Sequence, residues 1–447
     1  MKTFAEMGVQ IPEILLPENL DVKTWSVVAC DQYTQDRDYW KNVEKTAAGK
    51  PSALNIILPE VYLNDADKPA RIEKIRKTMS EYMNGGVFAA PEKEFVYVER
   101  TTAYGRVRHG LVCAIDLETY EWKPFSKALI RATEATIVDR IPPRMEIRRG
   151  APLELPHIML LVNDPEHSLV EETGNRVKKN SPLYSGDLMQ NSGSISGWKV
   201  SADSDVEYVR SAMEKLAEKN TSSDGSVFLF AVGDGNHSLA TAKAVWDEYK
   251  ASYPEDTESS VRYALVEIVN IYDTGLTFEP IHRVLFNVDS KDLVEKMALK
   301  LGGKVTSVKS ETELEEAVKK SKADFGFVFK NDEGKQEYIL LQTSITDLAV
   351  SQLQPALDEF LKNAPDAHVC DENSCRLVKP EIDYIHGSQE VFRLGGQENA
   401  TGILLPPVAK DSFFATINGR GPLPRKSFSM GEADEKRFYL ECRKLFK

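Results

Sequence analysis

The chain has 447 residues, with 56 Lys and Arg against 69 Asp and Glu, a formal charge of −13 and 42% hydrophobic residues. This composition excludes a disordered or low-complexity polypeptide, and the length is enough for two or three domains at roughly 150 residues each. The acidic balance argues against a protein whose task is to grip nucleic acid or an anionic membrane, since both demand positive charge at the contact surface.

Five cysteines (Cys30, Cys113, Cys370, Cys375, Cys442) are too few and too scattered for a disulfide scaffold. The first residues lack the apolar run of a signal peptide, and no stretch approaches the roughly 20 apolar residues that cross a bilayer. The expectation is a cytoplasmic protein with reduced thiols that meets a small-molecule substrate rather than nucleic acid or membrane, with oligomerisation left open.

In chain order, WSVVAC (25–30) reads as a short strand, and Lys68–Asn84 as a helix. KEFVYVER (93–100) and RHGLVCAIDL (108–117), joined through a Tyr-Gly turn, read as a β-hairpin with one face buried. The Ser-, Gly- and Asn-rich stretch 180–200 reads as an exposed loop, and Ser204–Lys219 as a helix. SVFLFAVG (226–233) and YALVEIVNIY (263–272) are almost continuously apolar, as strands covered on both faces are. Between them Leu239, Ala242, Val245, Trp246 and Tyr249 recur at helical spacing, and 251–260 reads as a loop.

Residues 286–345 alternate helix, KVTSV, helix, FGFVFK, a turn and YILLQ, a small α+β unit inserted into a core formed by 1–285 with 346–447. Further helices are expected over Leu353–Asn363 and Glu432–Phe446.

The sharpest local signal is SVFLFAVGDGNHSLATAK (226–243): a buried strand, a Gly233-Asp234-Gly235-Asn236 turn, and a helix beginning near His237. The first amides of a helix have no internal partners and carry partial positive charge, and glycine lets an anion approach the backbone. His237 and Ser238 add side-chain donors. The same pattern also describes a plain joint in which Asp234 or Asn236 caps the helix.

ALIRATEATIVDRIPPR (128–144) gathers Arg131, Glu134, Asp139, Arg140 and Arg144 ahead of the basic pair Arg148-Arg149. Such a segment can hold a phosphate while a carboxylate serves as base, or it can be an exposed, salt-bridged surface. Arg425 and Lys426 lie in a Gly/Pro-rich loop with Ser427 and Ser429, and His386 closes an apolar strand; each is open to a binding or a purely structural role. Asp31 and Gln32 close the Val-rich strand, where ligands of α/β sheets bind. His368, Cys370 and Cys375 lack a second pair, so no zinc site and no protein metal ligands are expected there.

Taken in order, ACDQY (29–33), PEVYL (59–63), RATEAT (131–136), LPHIMLLVND (155–164), VGDGNHSLATAK (232–243), DYIHG (383–387) and GPLPRKSFSMGEADEKRFYLE (421–441) resemble the family known as domain of unknown function 1015. The turn is also similar to that of the ParB/sulfiredoxin superfamily, which includes free-serine kinase. The resemblance implies an α/β (α+β) fold, a ParB/sulfiredoxin-like mixed sheet core with large insertions and an appended small α+β unit.

It further implies that Gly233, Asp234, Gly235, Asn236, His237 and Ser238 cradle phosphate. The turn has Asn236 and Ser238 where the kinase-like pattern has His and Arg, so Arg131, Arg140 or Lys426 would supply the missing charge, and Glu134, Asp31 or His237 the acid–base chemistry. The implied activity is phosphotransfer with ATP or ADP and Mg²⁺, serine or phosphoserine being the first substrate candidates. The alternatives are a phosphomonoester hydrolase and a non-catalytic nucleotide or metabolite sensor. A thiol-dependent sulfinic reductase is disfavoured because the turn holds no cysteine, and a DNA-binding partition role is disfavoured by the charge.

Overall fold

The computed structural model describes residues 1–370 and 375–446, and the side chains of the His368, Cys370 and Cys375 set lie outside the described residues. The chain is of mixed α/β class and divides into two compact units, Met1–Leu276 with Met430–Lys447, and Thr277–Ser429.

The first unit is built on a ten-stranded mixed sheet. Its strands are β1 (Val9–Gln10), β2 lying apart at Val27–Val28, β3 (Phe95–Thr101), β4 (Val107–Asp116), β5 (Tyr120–Glu121), β6 (Ile130–Ala132), β7 (Met159–Val162), β8 (Tyr184–Asp187), β9 (Ser194–Val200), β10 (Phe230–Asp234) and β11 (Tyr263–Asn270). The order across the sheet is β8-β9-β3-β4-β11-β7-β10-β6-β5, with β1 on β4. The expected hairpin forms, with Tyr97 opposite Leu111, but β3 and β4 are buried on both faces rather than one. Helices α1 (Lys68–Asn84), α2 (Ile141–Arg148), α3 (Asp203–Lys219) and α4 (Asn236–Ser252) complete the elements that matter for the site.

Two sequence expectations are corrected here. Residues 180–200 are not a plain loop: β8 and β9 pair antiparallel within them, Ser185 opposite Ser196, and β9 continues the sheet along β3. Polar composition hides this because β8 alternates buried and exposed residues at a sheet edge. The end of the chain is not a helix over Glu432–Phe446 but an extended strap, with a 3₁₀ turn at Ala433–Glu435 and short strands at Phe438–Tyr439, paired with β2, and Arg443–Lys444. Residues Glu435–Arg443 are buried without interruption, so no solvent face is left for an amphipathic helix to present.

The strap is held by buried ion pairs. Arg437 donates to Glu267 and, at 2.5 Å, to Glu441, with Tyr184 hydrogen-bonded to Glu441. Arg443 pairs with Glu154, which also meets Arg148 at 2.6 Å. Arg100 and Arg108 donate to the carbonyls of Asp434 and Glu435 at 2.9 and 2.7 Å.

The second unit carries a six-stranded antiparallel sheet formed by β12 (His282–Phe286), β13 (Lys304–Val308), β14 (Phe325–Lys330), β15 (Gln336–Gln342), β16 (Glu381–Ile385) and β17 (Ala400–Leu404), in the order β13-β15-β14-β17-β12-β16. It reaches beyond the expected 286–345 segment because β14 takes β17 as its second neighbour, Val328 opposite Gly402, and β17 in turn pairs with β12. Strands distant in sequence therefore complete the sheet.

Glu94 gives this fold a pH signature. Its side chain is buried, its Oε2 accepts no hydrogen bond, and burial pushes its carboxyl up from 4.5 to about 7. A folded-state value above the unfolded one means stability that is present at low pH and lost as pH rises from 4.5 through 7. Lys199 Nζ, 3.4 Å away and shared with Glu92, offsets part of the cost. Glu94→Gln is expected to raise the unfolding free energy by about 2 kcal/mol at pH 8 and by little at pH 5, measured by urea denaturation.

Candidate active site at the 233–238 turn

The segments 131–144 and 233–238 meet. β6 and β10 run parallel, with Ala132 opposite Val232, so both chains leave the sheet at the same end. Beyond the last pair, Thr133 Oγ1 donates to Val232 O at 2.5 Å, and its amide donates to Asn236 Oδ1 at 3.2 Å. Asn236 Nδ2 returns a bond to Thr133 Oγ1 at 3.3 Å. Asn236 thereby spends its side chain on stitching the two segments together.

Gly235 sets the turn. Its φ is +83°, in the left-handed region, and a Cβ there would stand 3.0 Å from Ile158 Cγ1 and 3.2 Å from its Cα. Gly233 is equally confined, since a Cβ would meet Leu161 Cγ at 2.8 Å. Leu239 N–H makes the first helical bond, to Gly235 O at 2.9 Å, and no side chain caps α4. The amides of Asn236, His237 and Ser238 therefore stand at the positive end of a 17-residue helix without a side-chain cap. Asp234 does not cap it: Oδ1 accepts the adjacent Gly235 N–H at 3.0 Å, while Oδ2 lies 3.4 Å from the ammonium of Lys436, a buried lysine of the strap.

His237 Nε2 accepts the Ile137 N–H at 3.2 Å, which fixes the neutral Nδ1–H tautomer. Burial, reinforced by Arg140 and Arg144 and opposed by Asp31, pushes it down to about 4. At neutral pH it offers a ligand an uncharged N–H donor.

A second histidine faces the turn from the opposite wall. His157 leads into β7, which runs antiparallel to β10, and its buried ring bridges Ser238 Oγ (2.9 Å from Nε2) and Tyr439 Oη (2.8 Å from Nδ1). The Cys30 N–H donates to Tyr439 Oη at 3.2 Å, and Asp31 Oδ2 stands 3.8 Å from His157 Nε2. A cavity of about 150 Å³ opens beside Ser238 and Thr241, walled by Ile56, Met79, Ile147 and Leu155 and by the Arg144–Glu60 pair.

Of the cations expected around a phosphate, Arg140 is exposed near His237 and Arg144 is bound in two places by Glu60, at 2.8 and 2.6 Å. Arg131 is not brought to the turn: it donates to Ala128 O at 2.8 Å and lies 4.5 Å over the Phe228 ring, at the entry end of the two strands. Arg148 and Arg149 pair with Glu154 and Glu248. Glu134 follows Thr133 and is half-buried. Lys426 belongs to the second unit, where its φ is +59°, and His386 follows β16 in that unit.

His157, Tyr439 and Lys436 were not anticipated as site residues. His157 immediately precedes the Ile158–Val162 apolar run, and a polar residue at a strand entry was the available signal. Tyr439 and Lys436 reach the turn because residues 436–439 belong to the extended strap rather than to the expected helix over Glu432–Phe446.

Residues 15–360 match the model of a family described as a protein of unknown function (DUF1015), and the chain belongs to that family. No curated protein matches the chain. Among solved structures, a mutant free serine kinase in complex with AMP is similar at 10% identity and a TM-score of 0.39, over 75% of this chain and 92% of that one. A conserved hypothetical protein from Pyrococcus furiosus is similar at 10% identity and 0.33, over 74% and 90%. SbnI from Staphylococcus aureus, truncated at its C-terminus, is similar at 8% identity and 0.34, over 72% and 82%. All three are remote likenesses.

Proposed function

We propose that this member of the DUF1015 family is a nucleotide-dependent phosphotransfer enzyme acting on a small hydroxylated or phosphorylated metabolite, serine or phosphoserine being the first substrates to test. The observation that carries the reading is the helix start on Gly235, where the amides of Asn236, His237 and Ser238 have no side-chain cap and the ammonium of Lys436 lies 3.4 Å from the neighbouring Asp234 carboxylate. Phosphoryl transfer needs chiefly positioning and electrostatic stabilisation, and an uncapped helix start with a lysine beside it supplies both.

In this reading the turn binds phosphate, Arg140 and Lys436 offset charge on the moving phosphoryl group, and Asp31 or Glu134 accepts the hydroxyl proton. His237, neutral and fixed by Ile137, orients rather than transfers a proton. Among the described residues no three His, Cys, Asp or Glu side chains gather as a metal cluster. Mg²⁺ carried in on nucleotide phosphates uses only one or two carboxylates, and Asp31 and Asp234 are present beside the turn for it. When bound, the ion would supply positive charge that offsets the negative charge of the phosphates.

The test is turnover by the purified full chain with Mg²⁺ and either ATP or ADP, offered serine and phosphoserine and followed by mass spectrometry of both products. Formation of phosphoserine, or of serine with the matching nucleotide, is the expected result. Nucleotide binding without turnover of either metabolite rejects this substrate pair; no nucleotide binding rejects the enzyme class.

A further inference from the structure

Ser238 and His157 form a pair that a phosphate cradle does not require. Backbone amides suffice for a cradle, yet Ser238 Oγ is 2.9 Å from the Nε2 of a buried imidazole whose other nitrogen is fixed 2.8 Å from Tyr439 Oη. Tyr439 is itself buried and held by the Cys30 amide. With Nδ1–H donating to Tyr439, the Nε2 lone pair faces the Ser238 hydroxyl. A nucleophile, a base within hydrogen-bond reach, and a third group orienting the base make the arrangement that activates a serine. Asp31, 3.8 Å from Nε2, stabilises the imidazolium that forms. The hydroxyl is also reachable, because Ser238 lines the 150 Å³ cavity together with Cys30, Glu60, Arg144 and Tyr439.

We propose that Ser238 is a covalent phosphoryl acceptor, served by His157 as base and Tyr439 as positioning residue. The proposal rests on the phosphotransfer reading, since its donor is a nucleoside triphosphate. Ser238 Oγ forms a bond to the terminal phosphorus, and its proton passes to His157 Nε2. The bond from that phosphorus to the bridging oxygen breaks, and the nucleoside diphosphate leaves with the electron pair. In the second step an acceptor hydroxyl or water bonds to the phosphorus and gives its proton to Asp31 or Glu134, the phosphorus–Oγ bond breaks, and His157 returns its proton to Ser238 Oγ.

The experiment incubates the full chain with Mg²⁺ and ATP without acceptor, quenches it, and locates phosphate by peptide mass spectrometry, alongside a titration of ADP affinity. The expected result is one phosphoryl group on Ser238, absent in Ser238→Ala, and formed about 100-fold more slowly in His157→Asn with ADP affinity retained. ADP binding with no phosphate on Ser238 overturns this proposal and leaves the phosphotransfer reading standing. Loss of ADP binding in the unmodified protein is the separate failure of that reading. Labelling of Ser238 by a fluorophosphonate without labelling by ATP overturns it too, by assigning the pair to acyl chemistry.

Discussion

Replacing Arg437 by leucine is expected to lower the unfolding free energy by about 3–5 kcal/mol, the cost of leaving buried carboxylates without their partner. The guanidinium is 1% exposed and bridges Glu267 and Glu441, themselves 1% and 0% exposed. Burial alone would raise Glu267, yet Arg437 and then Arg108 hold its carboxyl below the usual range. Without Arg437, Glu267 still feels Arg108, 3.6 Å away, and the charge of Arg100, while Glu441 keeps the Tyr184 hydroxyl. The substitution also frees Pro156 O, one residue from His157. Urea denaturation gives the loss directly. Adding Glu441→Gln and Glu267→Gln to Arg437→Leu is expected to recover part of it, because the uncompensated charges are then gone. A loss below about 1 kcal/mol in the single variant would show that the strap is anchored by packing alone.

Gly235→Val is expected to weaken nucleotide binding by at least about 100-fold, or about 2.7 kcal/mol. The position demands positive φ, which a β-branched residue adopts only with strain, and the new Cβ would press on Ile158. Relief requires the turn to move, which displaces the amides of Asn236, His237 and Ser238 at the helix start. Gly235→Ala, with less bulk and the same backbone conflict, is expected to cost about tenfold. Far-ultraviolet circular dichroism on both variants separates a moved turn from a lost fold. Unchanged affinity in a folded Gly235→Val variant would remove the turn from the binding site.

The turn and its helix were legible because local chemistry decides them. Glycine at the point of positive φ, an apolar run before it and helical periodicity after it all agree, and the structure places α4 at Asn236–Ser252 accordingly. The strap was not legible. In EKRFYLE, residues 435–441, charges interleave with aromatics at a spacing that suits a helix, and Glu435, Lys436 and Arg437 each meet a partner far away in sequence, Arg437 meeting Glu267 at a separation of 170. Nothing local announces such pairings, so Lys436 and Tyr439 went unnoticed. His157 was hidden in the same way, since its significance depends on Tyr439, 282 residues further on. Conversely, Arg131 looked available beside Glu134, and only the Phe228 ring and Ala128 carbonyl reveal that it points to the other end of the strand.

Titration of the full chain with ADP, followed by the backbone amide resonances of Asn236, His237 and Ser238 in the unmodified protein and in Gly235→Val, tests the phosphate-binding turn most directly. Progressive, saturable shifts of these three amides, absent from the valine variant, are predicted. Saturable binding that leaves all three unmoved would contradict it, and would place the nucleotide elsewhere on the protein.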